Sequence, residues 1–165
     1  MALALVPKGV KASVMRLPQV HDTTKQGLVT YLIAVAREKG VSAYVGEGRN
    51  RWSAAHVLDV ARLYRLALEK HEAGAKYHAV AEEGVAMRDI AEAIGRGLKV
   101  RVVSLSLEQA QAHFGWLSMF ATNDLRASSA QTRRKLGWNP TGPCLIADLE
   151  RLSYSAEASP SASLW

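Results

Sequence analysis

Short runs of β-branched and aromatic residues alternate along this chain with helix-period segments, and a glycine or proline punctuates most of the junctions. That alternation favours architectures in which helices cover strands, and it predicts an α/β class with some parallel pairing. Lys11 to Leu17 reads as a strand: Val10, Ala12, Val14 and Met15 are apolar, and Pro18 cannot donate to a ladder. Met1 to Val6, ahead of it, reads as the last turns of a helix. Gln26 to Lys39 carries Leu28, Leu32, Val35 and Ala36 on one helical face and stops at Gly40. A short strand, Ser42 to Val45, ends at Gly46-Glu47-Gly48. Val57 to Lys70 is an amphipathic helix, with Val57, Val60, Ala61, Tyr64, Ala67 and Leu68 recurring at three and four. Beyond Gly74 the pattern predicts a strand Lys76 to Ala81, a helix Met87 to Gly95 and a strand Lys99 to Leu105. Short helices Leu107 to Phe114 and Leu117 to Ala121 follow, then Ser128 to Leu136, stopped by Gly137 and Pro140.

With 165 residues, 48% hydrophobic and 22% charged, the chain can bury one core. Residues 1–152 are expected to form a single unit. Residues 153–165, mostly Ser and Ala around Pro160, lack large apolar side chains and are expected to be a disordered tail. The longest apolar run, Leu28 to Ala36, is about half of the roughly 20 residues a membrane-spanning helix needs. The apolar start has no basic residues ahead of it, so a cytoplasmic location without a membrane partner is expected. The single Cys144 excludes an internal disulfide and paired-thiol chemistry. A net charge of +6 raises nucleic-acid binding, which requires Lys and Arg clustered on one face. Here Arg133-Arg134-Lys135 is the only triple run, on a helix where a solvated face is the default, so nucleic acid is not an expected partner.

No autonomous catalytic centre is visible. His21, His56, His71, His78 and His113 include no i, i+4 pair for a metal, and no metal site is assigned. Gly46-x-Gly48 and Gly95-x-Gly97 begin like a dinucleotide fingerprint, but the third glycine would fall at Arg51 and at Val100, so both pairs are expected to be turns. No Gly-x-Ser-x-Gly occurs, and Cys144 sits between Pro143 and Leu145 with no histidine nearby in sequence.

Four segments, in this order, resemble the second half of the extended short-chain dehydrogenase/reductase family, also called the NAD-dependent epimerase/dehydratase family. Arg16-Leu17-Pro18-Gln19-Val20-His21 resembles its Arg-x-Pro-x-x-Val-Tyr/His-Gly motif, with Asp22 where the glycine usually stands. Trp52 to Ala61 resembles its Val-His-Val-x-Asp-Val-Ala box. Tyr77 to Ala81 followed by Met87 to Ala91 resembles its Tyr-Asn-Val strand and the next helix. Lys135-Leu136-Gly137-Trp138-Asn139-Pro140 is similar to its closing Leu-Gly-Trp-x-Pro signature, which precedes a final helix such as Leu145 to Leu152.

The resemblance implies the C-terminal portion of a Rossmann-like NAD(P)-binding fold with its small mixed α/β substrate-binding lobe. It implies NAD or NADP as cofactor, with Pro18 and Val20 beside the nicotinamide, and a substrate pocket lined by the segment holding Arg49, Trp52 and His56. Plainer roles compete: Pro18 ending a strand, Arg16 solvated or in a structural ion pair, Trp52 in the core, His56 bonded to backbone. Asp59 is best read as supporting the first turn of its helix. Trp116, Met119 and Phe120 could cover a cleft or simply pack. The family's glycine-rich turn is absent here, and so is its Tyr-x-x-x-Lys pair, because Val35, Gly48, Leu68, Ala81 and Ala158 stand four residues after the five tyrosines. No catalytic residue is therefore assigned. A small-molecule substrate is expected only once a nucleotide-binding half completes the site, and the exposed edge of the Lys11 to Leu17 strand makes self-association or another partner expected. The rival reading is a non-enzymatic binding or interaction domain derived from the same lobe.

Overall fold

The computed structural model describes residues 2–70 and 72–155. Met1, His71 and residues 156–165, which carry most of the expected Ser/Ala tail, lie outside them. A 3-10 helix, Ala2–Lys8, stands where helical turns were expected and leads into β1 (Val14–Arg16) and β2 (Gln19–His21). Then come α1 (Val29–Lys39), β3 (Val41–Val45), β4 (Arg51–His56), α2 (Val57–Glu69), β5 (Lys76–His78) and β6 (Glu82–Ala86). The chain continues through α3 (Met87–Leu98), β7 (Arg101–Leu105), α4 (Leu107–Phe114), α5 (Ser118–Thr122), α6 (Ala130–Leu136) and α7 (Leu145–Arg151).

The class is mixed α/β with parallel pairing. β1 pairs with β5 in parallel, Arg16 opposite His78, and β3 pairs with β7 in parallel. β4 lies between β2, parallel to it, and β6, antiparallel to it. This middle sheet was not legible as strand. Trp52, Ser53, Ala54 and Ala55 are all buried. Strand alternation is thus erased, and three of the four are small residues with weak strand preference. In β6, Glu82 and Glu83 conceal a strand whose Gly84 is required by contact, since a Cβ there would stand 2.8–2.9 Å from Arg126 and Arg51 side-chain atoms.

The Gly46 and Gly48 turn is present, both residues having positive φ. Gly95 and Gly97 are not a turn: they lie inside α3, which runs on to Leu98. Their small size lets the helix press against Val102 and the Tyr154 ring, and that tertiary packing outweighs the helix cost of roughly 1 kcal/mol per glycine. Tyr154, in the stretch expected to be tail, packs against the main core, and its carbonyl accepts from Arg37 at 3.1 Å.

Burial divides into two clusters. The larger joins α1, β3, α3, α4 and α7 around Leu32, Ile90, Ile94, Phe114 and Leu149. The smaller joins α2, β5 and α6 around Val60, Leu63, Tyr77, Leu136 and Trp138, with Met15 and Val20 against it. Among the described residues no helix is long and apolar enough to cross a membrane.

Candidate substrate-side cleft

Because β1 and β5 are parallel and in register, their C-terminal ends open on the same side. In open α/β sheets that is where ligands sit. β1 ends at Arg16 and continues as Leu17-Pro18, and the proline supplies no N–H to prolong the ladder. A cavity of about 460 Å³ lies there, with Leu17, Pro18, Val80 and Ala127 as apolar wall. Arg16, Ser53, His78, Arg126 and Ser128 provide its polar lining. A second hollow of about 250 Å³ shares His78 and Ser128 and adds Lys76 and Arg134. The larger volume suits a small molecule with a few convergent polar groups.

The polar side is ordered around His78. Its backbone N–H donates to Thr132 Oγ1 at 2.8 Å, its Nδ1 lies 3.1 Å from the Ser128 carbonyl, and its Nε2 lies 3.3 Å from an Arg16 nitrogen. A carbonyl can only accept and a guanidinium can only donate, so these contacts place the ring proton on Nδ1 and leave Nε2 as the acceptor. Arg126 is paired with Asp124 at 2.9 Å, and Ser128 donates to Glu83 at 2.5 Å.

The residues singled out from the sequence do not form one cluster. Pro18 lines the cavity, whereas Val20 turns into the smaller core. Arg49 is exposed and paired with Glu47 at 2.7 Å. Trp52, for which a pocket edge and a core position were both open, is fully enclosed in the core, its indole N–H donating to the Phe120 carbonyl at 3.1 Å. His56 caps α2, its Nδ1 accepting from the Leu58 N–H at 3.3 Å. Sequence reasoning missed His78, Ser53, Val80 and Arg126 as cavity residues. The signal available was the parallel pairing of the Arg16 and Tyr77 motifs, which brings their C-terminal ends together; Arg126 had no local signal at all.

The motif residues around His56 form a buried polar clamp. His21, opposite His56 in the β2–β4 register, has Nδ1 at 2.7 Å from Asp148 on α7, and His56 Nε2 lies 3.8 Å from the same carboxylate. Asp59 accepts from the Thr141 and Gly142 N–H groups at 3.0 and 2.8 Å and from Arg62. It therefore ties the chain after Trp138 to α2 rather than merely facing its own helix dipole. Gly142 is needed there, since a Cβ would stand 2.7 Å from Asp59 and His56. Asp22, in the position the family gives to glycine, makes its own turn: it accepts from Thr24 and Lys25 N–H at 2.6 and 2.7 Å. Burial alone would push its carboxyl up, but those backbone donors outweigh it and hold the group below the usual aspartate value.

Parallel β-strands flanked by helices, with a cleft at their C-terminal ends, define the class as a Rossmann-like NAD(P)-binding type of fold. Residues 8–81 match the sequence pattern of the NAD dependent epimerase/dehydratase family. The chain is 48% identical over 153 residues to the uncharacterized protein C2A9.02 of Schizosaccharomyces pombe, covering 92% of this chain and 52% of the relative. It is 44% identical over 155 residues to YLL056C of Saccharomyces cerevisiae, also uncharacterized, covering 93% and 52%. The chain thus spans about half the length of these curated relatives. Its fold matches DesIV, a dTDP-glucose 4,6-dehydratase from Streptomyces venezuelae solved with NAD, at TM-score 0.68 and 18% identity, over 92% of this chain and 46% of that one. The human epimerase family protein SDR39U1, solved with NADPH, matches at TM-score 0.64 and 20% identity, over 87% and 48%.

Proposed function

We propose that this chain is the substrate side of an NAD(P)-dependent epimerase/dehydratase-type oxidoreductase acting in the cytoplasm on a small sugar-like or hydroxy/keto substrate. Hydride chemistry then requires a nucleotide-binding half supplied by further polypeptide. The observation that carries this reading is the cavity at the C-terminal ends of β1 and β5, bounded by the Arg16-Leu17-Pro18 motif end. A volume of about 460 Å³ accommodates a small substrate or the nicotinamide end of a cofactor. A whole dinucleotide does not fit these residues, because no glycine-rich strand-to-helix turn is present to receive its pyrophosphate. The acid/base pair of the family is likewise absent from the 165 residues. The chain's own contribution is to bind and orient substrate and to shield one side of the cleft from water.

The test is calorimetric titration with NAD(H) and NADP(H), first of the chain alone and then with the half of the Saccharomyces cerevisiae relative that this chain does not cover. Cofactor binding by the mixture only is the expected result. Saturable micromolar binding by the chain alone would overturn the need for another half. No binding in either arm would favour a non-enzymatic binding domain.

A further inference from the structure

The polar side of the cavity is unbalanced in charge. Arg16 and Arg126 both line it, and no aspartate or glutamate does. Arg126 is neutralised in part by Asp124, whereas Arg16 has no carboxylate partner among the described residues; its contact is the imidazole of His78. A neutral acceptor orients a guanidinium without cancelling its charge. The ring is fixed in turn by the Ser128 carbonyl, so Arg16 is held against the cavity with donors of its fork unspent. Leu17, Pro18, Val80 and Ala127 give the same cavity a surface with little capacity to pair polar groups.

We infer that this cavity takes a small organic anion, a carboxylate or phosphate on a compact body, with Arg16 as the anion-binding residue and His78 as the residue that positions it. The inference rests on reading the cavity as the substrate end of the cleft. An anion accepted by the Arg16 fork makes charge-assisted, paired hydrogen bonds, while the body fills the apolar side. Glu83 and Asp124 at the margin are already engaged by Ser128 and Arg126, so they compete little for Arg16.

The test is NMR titration of the full chain with benzoate, with benzyl alcohol as its uncharged analogue, and with nicotinamide mononucleotide. Saturable shifts at Ser53, Val80 and Ala127 with benzoate but not with the alcohol are expected. Arg16→Gln should weaken binding about tenfold or more, the scale of a lost hydrogen bond to a charged group. Arg16→Lys should fall between, and Arg134→Gln in the neighbouring hollow should change nothing. His78→Ala should weaken binding and His78→Gln restore part of it, because the glutamine carbonyl can again accept from Arg16; a purely structural histidine would not be rescued in this way. Tighter binding of the mononucleotide at the same residues assigns the anion to the cofactor, and binding of benzoate alone assigns it to the substrate. Equal shifts from the alcohol, or unchanged affinity in Arg16→Gln, would overturn the proposal. Cofactor binding with the complementary half would still stand in that case, which separates this failure from failure of the functional reading.

Discussion

The two cores of this chain are built from similar residues and finished differently. Around the larger one, α1, α3, α4 and α7 enclose β3 and β7, and even Tyr154 folds back onto α3. The smaller one rests on a two-stranded sheet, β1 and β5, covered by α2 and α6. Both cores leave large apolar residues exposed: Leu17 at the end of β1 and Leu58, Tyr64 and Leu68 on α2 by the smaller core, and Leu107, Trp116 and Met119 along α4 and α5 by the larger. Among the described residues β3 and β7 are also a two-stranded parallel pair, but α1, α3 and α4 pack against them, as parallel sheets normally require burial on both faces. The smaller unit thus has the character of a larger sheet's border, which agrees with a chain spanning 52% of its relatives.

The strongest way to break this comparison is to delete the anchor of each core. Trp138 is nearly fully buried, donates to the Asp59 carbonyl at 3.0 Å and receives the Arg133 guanidinium over its ring. Trp138→Ala should cost about 3–5 kcal/mol, and Leu149→Ala in the larger core about 2–5 kcal/mol. Denaturant unfolding followed by amide exchange checks both. If the smaller unit is the weaker, Trp138→Ala should expose α2 and α6 amides while α3 stays protected, and Leu149→Ala should unprotect everything. Uniform loss in both variants would show that the two cores unfold as one.

Next in size is the clamp between the cores. Asp59→Ala strands the Thr141 and Gly142 N–H groups and should cost about 2–3 kcal/mol, read as a lower denaturation midpoint with an unchanged slope. An equally large loss from Arg62→Ala is not expected, because that side chain is half exposed and exposed ion pairs contribute about 1 kcal/mol or less.

How much of this was readable beforehand also divides between the regions. The helices α1 and α2 announce themselves by period, and the short α4 is closed at its start by a Ser106 and Gln109 capping box seen in the structure. The middle sheet did not, because buried small residues such as Ser53 and Ala54 carry no alternation, and α3 overran its glycines because Val102 and Tyr154 need that space. In the cleft, Pro18 was legible through its motif. His78 and Arg126 come together only through strand pairing and a loop, long-range relations that no local spacing encodes.

The finished region also makes a pH prediction. Burial, aided by Glu150 and opposed by Arg96, pushes the Tyr154 phenol up from 10.0 to about 12. Between those values the unfolded chain has released a proton that the folded chain retains, so stability is full below about pH 10 and falls as pH rises toward 12. Tyr154→Phe should flatten that decline in an alkaline unfolding series. An unchanged decline would mean that the ring is not held against Gly97.

The smallest effect expected is in the unfinished region and has the opposite sign. The Tyr77 hydroxyl is buried without a hydrogen-bond partner among the described residues, although the ring itself is 1% exposed and central to the smaller core. Removing an unsatisfied hydroxyl while keeping the ring should leave stability unchanged or raise it by about 0.5–1 kcal/mol, since no bond is lost and a desolvated group is relieved. Chemical denaturation of Tyr77→Phe measures this directly. A loss of about 1 kcal/mol or more would show that the hydroxyl does have a partner.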